Sequence, residues 1–199
     1  MNRQKPFIVE FTGTPEAGKT TTINIIYRQL IEMGYRVRMY PESAEITPSC
    51  IPKGSKDFKL WIDADTFKHV LEAPYLEDYD IVIFDRGSLD RIFWIYLDTI
   101  ESFDLGIEVA PFGILAKNYP PDFLIALYVS DKESINRRGG EGRIVTRNFV
   151  RNYNSLLKRF VDSIEVNKIL LVTDGKSVEE VTTLVLNSIL ENIKKEPSL

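Results

Sequence analysis

Five short apolar runs, at 7–11, 36–40, 80–84, 123–129 and 168–172, recur along the chain, each rich in Val, Ile, Phe and Tyr. Between them the apolar positions fall back to helical spacing, over 19–33, 57–72, 88–101, 146–167 and 177–194, with a further helical segment near 106–117. Runs that do not alternate with polar residues predict strands covered on both faces, and strands separated by helices predict a parallel sheet wrapped on both sides. The expectation is a doubly wound α/β fold, with five parallel strands and helices on both faces. At 199 residues the chain is read as a single domain over 1–199, long enough to bury a core without staples. Pro120-Pro121 marks a turn ahead of the fourth strand, and the last residues, 191–199, are expected to fray.

In a sheet of this kind ligands bind beyond the carboxyl ends of the strands. Four segments fall there: the stretch after the first strand, Glu42, Asp85 and Thr173-Asp174-Gly175. The first of these reads Gly13-Thr14-Pro15-Glu16-Ala17-Gly18-Lys19-Thr20, a complete GxxxxGK phosphate loop closed by a threonine, set between a strand and a helix as its chemistry requires. Its glycines let consecutive N–H groups turn inward, and the helix behind them adds its positive end. Gly13, Glu16, Ala17, Gly18, Lys19, Thr20 and Thr21 are thus the expected cradle of a nucleoside triphosphate. Lys19, expected to stand exposed, reaches the β- and γ-phosphates, and the Thr20 hydroxyl joins the shell of a Mg²⁺ ion.

Asp80-Ile-Val-Ile-Phe-Asp85-Arg86-Gly87 reads as a buried strand ending in an acid. In a phosphate-loop protein an acid there holds Mg²⁺, so Asp85 joins Thr20 as a candidate metal ligand; the competing reading is a helix cap ahead of Ser88. Arg86 is placed to meet a phosphoryl group bidentately as its charge develops. Downstream, residues 136–147 pack four arginines, at 137, 138, 143 and 147, around three glycines. Such a segment can act as a lid over about 137–147 that excludes water and delivers Arg137, Arg138 and Arg143 to the phosphates; the plainer reading is a solvated basic loop. Glu42, just past the second strand, faces the acceptor side, where it either takes the proton of an attacking hydroxyl or caps a turn.

Taken in chain order, the phosphate loop, the acid after the second strand, Asp85-Arg86 and the arginine-rich segment resemble the deoxynucleoside kinase and thymidylate kinase superfamily of P-loop kinases. The resemblance implies ATP as donor, Mg²⁺ as cofactor, a small-molecule acceptor and catalytic roles for Lys19, Glu42, Arg86, Arg138 and Arg143. Details depart from both subgroups. Deoxynucleoside kinases usually carry Glu-Arg-Ser where this chain has Asp85-Arg86-Gly87, and thymidylate kinases Asp-Arg-Tyr. A nucleoside, a nucleoside monophosphate and a non-nucleoside acceptor all stay open, as does a regulatory ATPase. Against a phosphate-loop switch or regulatory ATPase stand the lack of an Asn/Thr-Lys-x-Asp base-reading motif, which a GTPase switch would carry, and Arg86 where a hydrolytic ATPase places Glu.

Composition narrows the partners. A net charge of −4 argues against nucleic acid, which needs a basic face. The one cysteine, Cys50, cannot pair within the chain, which favours a reducing compartment. With a polar N-terminus and no apolar stretch of spanning length, a cytoplasmic location and no membrane partner are expected; a homodimer is left open. Phe58, Trp61, Phe93, Trp94 and Tyr96 are read as core, with some available to sandwich a base, and His69 among apolar neighbours is read as structural.

Overall fold

Strand β1 (Phe7–Gly13) is buried along its whole length because it is the middle strand of the sheet and helices cover both its faces. The computed structural model describes residues 5–101, 109–143 and 145–195. Around β1 lie β2 (Val37–Tyr40), β3 (Ile81–Asp85), β4 (Phe123–Tyr128) and β5 (Lys168–Val172), in the order β2-β3-β1-β4-β5, with every neighbouring pair parallel. The connection reverses direction beside β1, so a crevice opens beyond its carboxyl end.

Successive strand residues point to opposite faces, and two apolar layers follow that alternation. Phe7, Val9 and Phe11 join Ile81, Ile83, Ile125 and Leu127 beneath α1 (Lys19–Glu32) and α8 (Val178–Lys195), which contribute Ile23, Ile26, Leu30, Val185 and Ile189. Ile8, Val82 and Phe84 lie on the other face under α3 (Lys56–Glu72), α4 (Ser88–Glu101) and α5 (Val109–Asn118). Alongside them Ala126 and Phe93 meet Tyr153, Leu157 and Val161 of α7 (Arg147–Ser163), whose buried residues recur at the three-to-four spacing of one helix face. Each fully buried side chain of this size is worth about 1.5–3 kcal/mol, so the sheet is held rigid where the site will be built on it.

The differences from the sequence pattern have local causes. β1 runs on to Gly13, because Thr12 and Gly13 still pair with Ala126 and Leu127 of β4. The helix expected over 146–167 stops at Ser163, where Ile164 turns extended to lead into β5. α8 continues as helix past 191 to Lys195, with Ile193 buried. The helix expected near 106–117 is α5, displaced to 109–118, residues 106–108 lying outside those described, as do 196–199. Three short elements went unread: α2 (Ser43–Ile46), a 3-10 turn at Ala73–Tyr75, and α6 (Asp131–Arg138). α6 takes in Arg137 and Arg138, so the first part of the expected lid is helix rather than loop.

Candidate active site

The phosphate loop fills the crevice beyond β1. Gly13 has φ +142°, and a Cβ there would lie 2.0 Å from the Leu127 carbonyl oxygen, so only glycine lets β1 close on β4 at this point. Lys19 opens α1 and is buried, not exposed: its Nζ folds back to donate to the carbonyl oxygens of Gly13 at 3.1 Å and Thr14 at 3.2 Å. Burial, with Arg86 nearby, brings its amine down to about 8. These carbonyls are modest partners for an ammonium, and a phosphate would displace them.

At the end of β3, Asp85 is buried, and burial raises its carboxyl above the ordinary value despite the hydrogen bond from Thr20. The Thr20 hydroxyl donates to Oδ2 at 2.8 Å, while Oδ1 is buried without a hydrogen-bond partner among the described residues. An open carboxylate oxygen next to a threonine hydroxyl at a phosphate loop suits a hard divalent cation that takes its other ligands from phosphate and water, so Thr20 and Asp85 fit Mg²⁺. The N–H groups at the start of α4 bond to Glu10, so Asp85 does not cap that helix.

Arg86 follows with φ +72°, an uncommon conformation for a residue with a side chain. Burial would lower its guanidinium, yet Asp90 and Glu42 reverse this and hold it well above its ordinary value. Its Nη1 donates to Asp90 at 2.8 and 3.0 Å, its Nε stands 3.0 Å from Glu42 Oε1, and its Cζ lies 5.6 Å from the Trp94 ring centre. Glu42, two residues past β2, caps no helix with its side chain. Its carboxylate is instead committed to Arg86. Behind it Ser43 donates to Asp65 at 2.8 Å, which ties this turn to α3.

Two cavities flank these groups. One, of about 320 Å³, lies between α2, α3 and α4; Glu42, Arg86 and Asp90 form its polar wall, and Phe58, Ile62 and Trp94 its apolar one. The other, of about 490 Å³, runs over the phosphate loop past Glu16, Ala17, Gly18 and Thr21 to Arg137 and Thr173. The loop residues of the second cavity belong to the phosphate-loop motif, whereas Lys176 and Ser177 on its wall carry no such signal in the sequence. Of the aromatics, Phe58 and Trp94 line the first cavity, whereas Phe93 is fully buried against Tyr153 and cannot sandwich a ligand. His69 stacks on Tyr40 at 4.2 Å, and burial lowers its imidazole below the usual value.

The arginine-rich segment divides. Arg137 donates to the carbonyl oxygens of Glu16 at 3.3 Å and Thr173 at 2.9 Å, which holds α6 against the loop. Arg138 lies 3.4 Å from Glu16 Oε1. Arg143 is exposed, and Arg147 pairs with Asp131 at 3.0 Å. Arg137 and Arg138 are thus at the phosphate loop, while Arg147 is turned to Asp131.

Three supports of the site went unread. Tyr153 and Asn154 of α7 pin the loop from below: the Tyr153 hydroxyl donates to the Gly13 carbonyl at 3.0 Å, and Asn154 accepts from the Thr14 hydroxyl at 2.6 Å and donates to the Val129 carbonyl at 2.8 Å. Asp90 is the third. A mid-helix Asn or Tyr carries no local signal, but Asp90, four residues after Arg86, stands at the spacing of a helical ion pair.

A β2-β3-β1-β4-β5 parallel sheet with a phosphate loop beyond its central strand and an acid and arginine beside it defines a P-loop nucleotide-binding protein. No protein-family model matches the chain. It is 30% identical over 190 residues to a probable thymidylate kinase of Sulfolobus acidocaldarius, an alignment covering 88% of this chain and 92% of that protein. By fold it is similar to a deoxyadenosine kinase of M. mycoides (TM-score 0.67, 20% identity, 92% of this chain and 99% of the other). A thymidylate kinase of Candida albicans is similar too (TM-score 0.68, 17% identity, 96% and 94% covered). The chain belongs to the P-loop nucleoside and nucleotide kinase family, and is an ATP-dependent kinase.

Proposed function

We propose that the protein moves the γ-phosphoryl group of ATP to a hydroxyl of a nucleoside seated in the 320 Å³ cavity, with Glu42 as the base. The observation that carries this reading is the placement of Glu42: a carboxylate free of capping duty, on the cavity wall, 3.0 Å from the guanidinium that would meet the phosphoryl group. ATP lies along the phosphate loop, its phosphates taking the loop N–H groups and Lys19 in place of the Gly13 and Thr14 carbonyls. Arg137 and Arg138 close over them, and Thr20 and Asp85 would hold a Mg²⁺ ion, which would neutralise phosphate charge. As the acceptor oxygen bonds to the γ-phosphorus and the bond to the β-phosphate oxygen breaks, Glu42 takes the hydroxyl proton and Arg86 meets the growing charge. The free cysteine and composition support a cytoplasmic setting; no helix among the described residues is long and apolar enough to cross a membrane.

A nucleoside monophosphate acceptor is the second reading, favoured by the thymidylate kinase name of the 30% identical relative. Its phosphate oxygen is largely ionised near neutral pH and needs no base. Incubating the protein with ATP, Mg²⁺ and a panel of nucleosides, nucleoside monophosphates and unrelated alcohols, with products read by mass, separates these readings. With a nucleoside, Glu42→Gln is expected to cut transfer by about 10²–10⁴-fold while ATP binding is unchanged. An unaltered rate removes Glu42 as base.

A further inference from the structure

Glu10 takes no part in the transfer just described, yet it is a buried carboxyl in the middle of β1, 2% exposed, aimed at the first turn of α4. Its Oε1 accepts the N–H of Gly87 at 3.1 Å and of Asp90 at 2.7 Å, and its Oε2 that of Leu89 at 3.3 Å. N–H groups at a helix start have no partner within the helix, so a residue from the neighbouring strand here supplies what a cap supplies. The approach is close: a Cβ on Gly87 would lie 2.6 Å from Glu10 Oε2. That is a physical reason for glycine after Asp85-Arg86 in this chain. Asp90, anchored by its own N–H, turns its carboxylate to Arg86 Nη1 and accepts a further bond from the Thr12 hydroxyl. Arg86 itself sits at φ +72°, a conformation that persists only where its surroundings enforce it.

We propose that Glu10 is a positioning residue for Arg86: by fixing the first turn of α4 and Asp90 with it, the Glu10 carboxyl holds the Asp85-Arg86-Gly87 turn and sets the guanidinium between Glu42 and Trp94. Burial pushes the Glu10 carboxyl up to about 8, with Asp90 adding to the rise and the three N–H bonds opposing it. Either protonation state offers an acceptor oxygen to these N–H groups; what the arrangement requires is the acceptor.

Only the catalytic consequence rests on the proposed transfer, so the test reads the arginine directly. The chain has two tryptophans, and Trp61→Phe leaves Trp94, over which Arg86 sits at 5.6 Å, as the reporter. In that background Glu10→Met keeps an unbranched side chain of similar length and removes the acceptor, whereas Glu10→Gln keeps a carbonyl oxygen for the two bonds at Oε1. Glu10→Met is expected to shift Trp94 emission in the direction that Arg86→Lys does, and adding Arg86→Lys to it should shift the emission no further. Glu10→Gln should stay close to the parent. Should Glu10→Met fail to fold, Gly87→Ala carries the test, because its Cβ displaces the carboxyl without changing it. A folded Glu10→Met or Gly87→Ala protein with parental Trp94 emission overturns the proposal. With an acceptor in hand, kcat should fall roughly tenfold or more in Glu10→Met while KM for ATP changes little, the mark of a group that matters in the transition state. Failure to find any acceptor would sink the transfer reading and leave the emission result standing.

Discussion

At the scale of single residues the site is a set of charges held by partners that a substrate would replace. Lys19 rests on two carbonyl oxygens and Arg86 is paired with two carboxylates, so phosphate has to compete for each cation. The two differ in strength: Lys19 trades weak neutral acceptors for charged ones, whereas Arg86 keeps Asp90 and gives up at most Glu42. Lys19→Ala is expected to abolish phosphoryl transfer while the melting temperature stays level or rises, because the change removes an amine whose charge burial disfavours. Differential scanning calorimetry alongside the transfer assay checks both halves. Full activity in the folded variant would take Lys19 out of the mechanism.

Among the elements, α7 bears on the site most. Its start is capped by Thr146, which accepts the Phe149 N–H at 3.2 Å, and two turns on it reaches under the phosphate loop through Tyr153 and Asn154. These two contributions separate by experiment. Thr146→Ala removes a cap and should cost about 1 kcal/mol of stability with little change in KM for ATP. Asn154→Ala leaves the Thr14 hydroxyl and Val129 carbonyl buried without their partner, which should cost about 1–3 kcal/mol and also raise KM, because the loop loses its floor. Urea denaturation and ATP titration of the two variants decide it: equal KM values would mean that α7 supports the fold alone. α6 is tied to the same loop from above, by Arg137 and by the Ser134 hydroxyl donating to the Pro15 carbonyl at 2.9 Å, so the loop is gripped between the two helices.

For the whole molecule the buried ionisable groups shape stability against pH. Glu10 has a folded value near 8 against an ordinary 4.5, so between these limits the native state binds a proton that the unfolded chain has released. The contribution of Glu10 to stability therefore falls as pH rises across that window, by no more than about 1.4 kcal/mol per pH unit for one proton. Lys19 acts in the opposite sense and higher up: with a folded value near 8 against 10.5, it adds stability as pH rises between those two. Glu10→Gln, neutral at every pH, should flatten the decline between pH 5 and 8 while leaving the rise above 8. Denaturant midpoints of the two proteins taken across that range test it, and parallel curves would show that Glu10 titrates alike in both states.

The sequence alone determined the strands and their parallel wrapping and marked the phosphate loop of the candidate site, since each is written in short stretches: apolar runs without alternation, and a loop motif contiguous from Gly13 to Thr20. It also marked Asp85, Arg86 and Glu42, because strand ends in such a sheet converge on one edge. What the tertiary structure decided is who holds these residues. Glu42 forms an ion pair with Arg86 across 44 positions of chain, Glu10 caps a helix that starts 78 residues later, and Asn154 meets Thr14 at a separation of 140. Arg137 and Arg147, ten residues apart, turn to different partners because a helix ends and another begins between them. Such pairings arise when packed layers bring distant side chains into a space without water, where each buried polar group must find a partner wherever the fold provides one.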